Sequence, residues 1–112
     1  PVMRVLAKHK YRAQRVFEDG YNFPSKREHA RYRELKLMEK AGEIRWLRVH
    51  PRFDIIWPGA LERVCVVELD FLYLDRLERP HYEDVKGFLT AMSSLKRKLL
   101  KAAWDIEVEI IK

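Results

Sequence analysis

The chain has 112 residues, of which 47% are hydrophobic and 12% aromatic, and its formal net charge is +6. This length supports one domain with one core, and the apolar content excludes a disordered chain. No apolar run approaches the roughly 20 residues of a membrane helix, and the lone Cys65 excludes a disulfide scaffold or a cysteine-based zinc site within one chain. We therefore expect a domain that works in a reducing cytoplasm.

The first segment, residues 1–24, predicts a basic arm followed by a hairpin. Residues 1–16 carry lysines and arginines but no acidic residue, and such blocks often lie on phosphates. Asp19-Gly20 is a hairpin turn signal. The positive charge favours nucleic acid as a partner, although a solvated lysine-rich surface is the alternative.

The segment "SKREHARYRELKLMEKAGE" predicts a helix over residues 25–41. Ser25 is a suitable N-cap, Glu28 stands three residues later as in a capping box, and the glycine after the helix is a typical stop. Glu28, Tyr32 and Leu35 share one side of the helix, so the glutamate would point toward the fold. A capping role and a role in a site are both open for Glu28.

The rest of the chain predicts strands and one more helix. Pro51 limits the strand around it to a bulge or an edge. In chain order, the elements are strands at 44–57, 63–75 and 81–87, a helix at 89–104 and a last strand at 106–111. The expected stripe of this second helix is Leu89, Met92, Leu95, Leu99 and Ala102. Residues 25–111 thus form an α/β or α+β domain, an αβββαβ core with a central mixed sheet flanked by helices.

Side chains alternate between the two faces of a strand, and this alternation identifies a group of charged residues as candidates for a site. In 64–74 the odd positions form an apolar face, whereas the even positions are apolar except for Glu68 and Asp70. A five-residue hairpin loop would place Asp70 opposite Asp84 and Glu68 opposite Lys86. Two opposed carboxylates repel each other unless a divalent cation lies between them. Glu83 would face the other side of its strand.

Other classes of site are not supported. The sequence contains no P-loop, dinucleotide-binding, zinc-protease or serine-hydrolase motif. Its four histidines have no spacing typical of a metal site, and His50 is expected to be a solvated histidine that could approach a phosphate or water. Ser93 and Ser94 are expected to face solvent.

The order of elements and these residues resemble the PD-(D/E)XK nuclease superfamily, whose core is αβββαβ. Glu28, Asp70 and Asp84-x-Lys86 fall on a helix and two strands in the order of its motif. The segments "SKREHARYRELKLMEKAGEI", "HPRF", "ELDFLY" and "YEDVKGF" are similar to small phage-encoded endonucleases of that superfamily, which also includes archaeal-type Holliday junction resolvases. Leu69 replaces the proline that usually precedes the first aspartate, and Asp84 replaces a frequent glutamate.

The resemblance implies a metal-dependent endodeoxyribonuclease. Asp70 and Asp84 would bind Mg²⁺, with Mn²⁺ as a substitute, while Glu28 would complete the site and Lys86 would position the attacking water. The DNA backbone would be bound by a set of cations on the arm and the two helices. These cations are Lys8, Lys10, Arg12, Arg15, Lys26, Arg27, Lys96, Arg97, Lys98 and Lys101.

The expected substrate is branched DNA, with a four-way junction preferred. A domain of this size has no separate module for reading bases, so DNA shape would select the substrate, and a homodimer would place two sites on a junction. Two other hypotheses stay open: a non-catalytic nucleic-acid-binding protein, and a nicking subunit of a larger phage or transposition complex. No membrane partner is expected, and the location would be the cytoplasm, that of the host if the protein is phage-encoded.

Overall fold

The structure is a computed structural model that describes residues 14–56, 59, 62–85 and 90–112. In these parts of the chain it contains eight strands and two helices. In chain order they are β1 (Val16–Glu18), β2 (Tyr21–Phe23), α1 (Lys26–Lys40), β3 (Ile44–Val49), β4 (Arg52–Ile56), β5 (Arg63–Glu68), β6 (Phe71–Asp75), β7 (Pro80–Val85), α2 (Ala91–Trp104) and β8 (Val108–Ile111).

The central sheet has four strands in the order β3-β6-β7-β8. β8 runs parallel to β7, whereas β3, β6 and β7 pair antiparallel, so the sheet is mixed. Two further strand pairs, β1-β2 and β4-β5, stand outside this sheet. The predicted α+β class and the mixed central sheet with helices are therefore confirmed.

The prediction of one strand over residues 63–75 was wrong, because the chain breaks after Glu68 and resumes at Phe71. β5 before the break pairs with β4, while β6 after it joins the central sheet. The partner segment breaks at the same level, between β3 and β4, where Pro51 has no N–H and a fixed φ. The two segments thus form one long hairpin that is interrupted in both arms.

The pairing register continues through this interruption. His50 N donates to Asp70 O at 2.9 Å, and Leu69 N donates to Pro51 O at 3.0 Å. The strand pairs on both sides of the break keep the register that these bonds imply. His50, whose φ is 56°, therefore lies directly across from Asp70.

Helix α1 forms where the sequence predicts it. The side chain of Ser25 accepts a hydrogen bond from Glu28 N at 3.2 Å, and Ala41 is the C-cap. The buried residues of α1 are Glu28, Tyr32 and Leu35, the predicted stripe. Glu28 is thus buried, and it belongs to the face that packs on the fold.

The predicted apolar stripe of α2 was wrong at three of its five positions, whereas Leu99 is half-buried and packs against the core as predicted. Met92 is 61% exposed, Leu95 is 49% exposed, and Ala102 is also exposed, while Leu89 lies outside the described residues. The buried face instead contains Leu100, together with the small residue Ser93.

Ser93 is buried because it closes the start of α2 and does not face solvent as predicted. The Thr90 side chain accepts from Ser93 N at 3.1 Å, and Ser93 Oγ accepts from Thr90 N at 3.0 Å. These reciprocal bonds form a capping box in which a serine takes the place of the usual glutamate.

Two hydrophobic clusters form the core, one on each side of the break. The first lies under α1 and contains Phe23, Tyr32, Leu35, Ile44, Phe71 and Tyr73. The second lies between α2 and the β4-β5 pair and contains Ile55, Val67, Leu69, Leu100 and Ile106. The odd-numbered face of 64–74 is buried as predicted except at the half-buried Cys65, but the break divides it between the two clusters.

The hairpin predicted at Asp19-Gly20 is present, with β1 and β2 paired around two residues of positive φ, 54° and 83°. In the described part of the chain, neither helix is long and apolar enough to cross a membrane.

Candidate metal centre

The interruption of the hairpin brings Asp70 and His50 together. Both residues are half-buried. Their backbones are joined by the 2.9 Å bond from His50 N to Asp70 O. The ring of Phe23, a fully buried residue of β2, lies 5.8 Å from the imidazole of His50 and limits its movement.

Glu28 reaches the same place from the first turn of α1. It is 9% exposed, and its backbone N–H donates to the capping Ser25. Because α1 buries Glu28 together with Tyr32 and Leu35, packing of the helix directs the carboxylate inward. The capping role and the inward position, both left open by the sequence, therefore coexist.

Glu28, His50 and Asp70 form a cluster of possible metal ligands. One ligand atom of each residue lies within 4.8 Å of the ligand atoms of the other two. Carboxylate oxygens and imidazole nitrogens are donors that divalent cations bind, with Mg–O bonds of about 2.0–2.1 Å. A cation between donors at these separations needs only small side-chain movements, so the residues fit a divalent ion.

Asp84 completes the carboxylate group from β7. The predicted register is confirmed, since Leu72 lies opposite Tyr82 and Phe71 opposite Glu83. Asp84 is 8% exposed, and its side chain is within hydrogen-bonding reach of Asp70. Asp70 thus has both Glu28 and Asp84 within reach, whereas the three residues whose ligand atoms all lie within 4.8 Å of one another are Glu28, His50 and Asp70.

The crowding of carboxylates changes the proton affinity of Asp70. Burial, and then the neighbouring Glu28, raise the pKa of Asp70 to about 7, although the 2.6 Å hydrogen bond from Val85 N to Asp70 Oδ2 and the hydrogen bond with Asp84 oppose this shift. Near neutral pH the cluster therefore accommodates negative charge poorly. A divalent cation would compensate that charge.

Glu83 faces the opposite side of β7, as predicted. It is 1% exposed and accepts two hydrogen bonds from Arg31, at 2.8 Å from Nε and 2.6 Å from Nη2. The Tyr73 hydroxyl also donates to it. Glu83 therefore joins α1 to the sheet and has no part in the cluster.

The remaining predicted member of the site, Lys86, lies outside the described residues, and so does its predicted place opposite Glu68. Glu68 itself lies opposite Arg52 in the β4-β5 pair. The break after Glu68 separates β5 from β6 and from the central sheet.

Four exposed cations flank the cluster along the chain. Lys26 and Arg27 directly precede Glu28, and Arg48 and Arg52 stand two residues to either side of His50. Across the described ranges, none of the four forms an ion pair. Their charges are therefore available to an anionic ligand. Arg48 and Arg52 were not selected from the sequence.

The other predicted DNA-binding cations are not neighbours of the cluster residues in the chain. Arg15 is exposed before β1, and Lys96, Lys98 and Lys101 are exposed on α2, which packs on β4 in the second core. Arg97 is half-buried, and its Nε has no hydrogen-bond partner among the described residues. The predicted cations Lys8, Lys10 and Arg12 lie outside the described residues.

A cleft of about 610 Å³ lies elsewhere, between α1 and the β1-β2 hairpin. Its lining residues are Glu18, Asp19, Tyr32, Arg33, Lys36, Leu37, Glu39 and Lys40. The polar groups there satisfy one another: the Tyr32 hydroxyl donates to Asp19 at 2.6 Å, and Arg33 pairs with Glu18 at 3.4 Å. The cleft contains no ligand of the metal cluster, so we do not place the site there.

The fold and the cluster define an α+β protein with a small mixed sheet and a group of four residues, Glu28, His50 and Asp70 with Asp84 next to Asp70. The chain belongs to the family described as "Protein of unknown function (DUF1064)", whose model matches residues 8–111. The match includes all four residues of that group. No curated protein and no solved structure is significantly similar to the chain.

Proposed function

We propose that this protein is a metal-dependent endodeoxyribonuclease that hydrolyses phosphodiester bonds in branched DNA. The observation that supports this most strongly is the meeting of Glu28, His50 and Asp70 at the interrupted hairpin, with Asp84 of β7 next to Asp70. Crowded, partly buried carboxylates destabilise a fold, and such arrangements are typical of functional sites. The resemblance to PD-(D/E)XK nucleases assigns the same three carboxylates to a metal site.

The residues have distinct roles in this proposal. A bound Mg²⁺ or Mn²⁺ would polarise the scissile phosphate and favour ionisation of the attacking water. Asp70, in the break before β6, and Asp84, on β7, would hold the cation, and the bond from Val85 N would fix the orientation of Asp70. Glu28 would complete the set from α1, and Lys86 would orient the attacking water, as the resemblance implies.

Nucleic acid is the substrate class that the charge around the cluster favours. The exposed cations Lys26, Arg27, Arg48 and Arg52 surround it along the chain. The N-terminus of α1, which carries Glu28 and two of these cations, adds a partial positive charge that favours a phosphate. A DNA backbone that crosses this surface would place one phosphate at the carboxylates.

Trp46 and Arg48 of β3 favour a branch point in the DNA, where stacking between neighbouring base pairs is interrupted. Trp46 is 65% exposed, has a φ of 60° and lies in a bulge of β3, and the guanidinium of Arg48 is 5.9 Å from its ring. An exposed aromatic next to a cation is suited to stack on the face of a base that has lost its stacking neighbour. Continuous duplex offers no such face.

A four-way junction is the preferred branched substrate in this proposal. Two copies related by a two-fold axis would place two sites on its near-symmetric arms. The proposed compartment is the cytoplasm, where the free, half-buried Cys65 would stay reduced.

The proposal is tested by incubating the full chain with a labelled four-way junction and with linear duplex of the same sequence. Each reaction contains Mg²⁺, Mn²⁺ or EDTA. We expect paired symmetric nicks in the junction with either metal and none in EDTA. Asp70→Asn should slow cutting by about 100-fold or more, whereas Asp54→Asn, which changes an exposed carboxylate 3.2 Å from Arg63, should not.

The other outcomes are equally informative. Equal cutting of duplex and junction would leave a nuclease without the proposed selectivity. Binding of both DNAs with no cutting in any metal would support the non-catalytic alternative or a subunit that depends on a partner. Unchanged cutting by Asp70→Asn would overturn the assignment of the site.

A further inference from the structure

We infer that His50 is a direct ligand of the cation and that it makes the centre selective for first-row divalent transition-metal ions over Mg²⁺. This inference rests on the metal site of the proposed function but does not require that DNA is cut. His50 would add a nitrogen donor to a site for which the sequence predicted only carboxylate ligands.

The position of His50 is determined by the backbone. His50 N donates to Asp70 O, and Leu69 N donates to Pro51 O, so the residue is held across the interruption from Asp70. Its φ of 56° is unfavourable for a residue with a side chain. A residue before proline is normally extended, so this conformation is not what the local sequence prefers. The fold therefore maintains His50 there against local preference.

The side chain of His50 is directed at the carboxylates. One of its ring nitrogens lies within 4.8 Å of an oxygen of Glu28 and an oxygen of Asp70. The imidazole also packs against the fully buried Phe23, with the ring centroids 5.8 Å apart. A half-buried imidazole that contacts an aromatic ring and lies near two carboxylates has restricted freedom, so its donor atom is already positioned for a cation.

A mixed set of donors distinguishes between cations. Mg²⁺ prefers oxygen ligands and retains much of its water. First-row transition-metal ions bind imidazole nitrogen as well as carboxylate oxygen, and they bind such sites more tightly than Mg²⁺. Replacing one oxygen of the centre by the nitrogen of His50 should therefore raise the affinity for ions such as Mn²⁺ relative to Mg²⁺.

The test uses Mn²⁺ as the probe and the full chain without DNA. Electron spin-echo measurements on bound Mn²⁺ detect coupling to a directly bound ¹⁴N nucleus, and ¹⁵N-histidine labelling of the unaltered protein identifies the nitrogen as imidazole. The affinities for Mn²⁺ and, by competition, for Mg²⁺ are measured on the same samples. The variants are His50→Gln and, as a control histidine, His81→Gln, whose ring bonds Asp75 and Glu109 instead.

We expect histidine nitrogen coupling in the unaltered protein and in His81→Gln, and its loss in His50→Gln. The dissociation constant for Mn²⁺ should rise about tenfold or more in His50→Gln, with a smaller change for Mg²⁺. Should His50→Gln fail to fold, the labelled unaltered protein still decides whether a histidine is bound, and His50→Asn provides a second variant.

The failures of the two proposals are distinguishable. Bound Mn²⁺ without histidine coupling, or an unchanged Mn²⁺ to Mg²⁺ ratio in folded His50→Gln, would overturn the role of His50 while leaving nuclease activity possible. Histidine coupling in a protein that cuts no DNA would overturn the nuclease proposal alone. Absence of any Mn²⁺ binding would overturn both.

Discussion

Glu83 and Asp84 are adjacent acids on β7 in opposite surroundings. Glu83 is enclosed by Arg31 and Tyr73, and its hydrogen bond is the main reason that the pKa of Arg31 is raised. Asp84 instead faces Asp70. Alternation along a strand was sufficient to separate the two from sequence, because β7 is regular through both positions.

Substitution Glu83→Gln should reduce stability more than activity. It leaves the guanidinium of Arg31, whose side chain is 19% exposed, with only the exposed carboxylate of Glu34, 3.7 Å away, as a counter-charge. We expect a loss of about 3 kcal/mol in the free energy of unfolding, measured with urea. The exposed pair Asp54–Arg63 is the control, because Asp54→Asn should cost less than about 1 kcal/mol. Equal losses in both variants would contradict the structural role of Glu83.

Asp70 gives stability a pH dependence of defined sign. Burial and Glu28 raise the pKa of Asp70 to about 7, so the folded protein holds this proton more tightly than the unfolded chain does. The resulting stabilisation is complete below the ordinary carboxyl pKa of about 4 and is lost as the pH rises through about 7. In EDTA, the melting temperature of the wild type should therefore fall relative to Asp70→Asn between about pH 5 and pH 8. Parallel curves for the two proteins would show that Asp70 does not titrate in this way.

The two helices differ in how well the sequence predicted them. α1 has a defined cap, and a single apolar stripe fits its sequence, so both its ends and its buried face were correct. α2 contains the adjacent apolar residues Leu99 and Leu100, which permit two stripes that differ by one residue. Which stripe is buried depends on the hydrogen bonds between Ser93 and Thr90 and on the residues that pack against α2. The periodicity of the sequence carries no information on either.

The buried face of α2 can be measured by truncating two leucines. Leu100 is fully buried in the second core, so Leu100→Ala should cost about 2–5 kcal/mol of unfolding free energy. Leu95 is 49% exposed, and Leu95→Ala should cost about 0.5 kcal/mol or less. Denaturant unfolding of both variants gives the comparison. A larger loss for Leu95→Ala would mean that the predicted stripe, and not the observed one, faces the core.

The edge formed by β3 and β4 should contribute to DNA binding through Arg48 and Arg52. Each cation that contacts a phosphate adds about one to the dependence of log affinity on log salt concentration. In EDTA, fluorescence anisotropy with a labelled junction should show weaker binding and a smaller salt slope for Arg48→Ala and Arg52→Ala. Arg76→Ala, at the exposed turn after β6, is the control and should leave both quantities unchanged. The same loss in the control would indicate a general charge effect.

The sequence predicted only part of how the residues of the site come together. The meeting of Asp70 and Asp84 followed from the length of one hairpin loop, which is local information. His50 could have been found in the same way, since a hairpin with its turn near Gly59 places residue 50 opposite Asp70. The interruption at 69–70 could not, because the apolar alternation of 63–75 continues through it. Only the packing of two separate cores shows where the chain changes sheets.

The most direct measurement of metal-dependent hydrolysis at this cluster is the single-turnover cleavage rate of a labelled four-way junction by Asp84→Asn. The reaction contains saturating Mn²⁺, and Asp54→Asn is assayed beside it. Because Asp84 would hold the cation opposite Asp70, we expect its variant to cut about 100-fold or more slowly than wild type, with Asp54→Asn unchanged. A rate for folded Asp84→Asn equal to that of the wild type, or cutting by the wild type in EDTA, would contradict the proposed function.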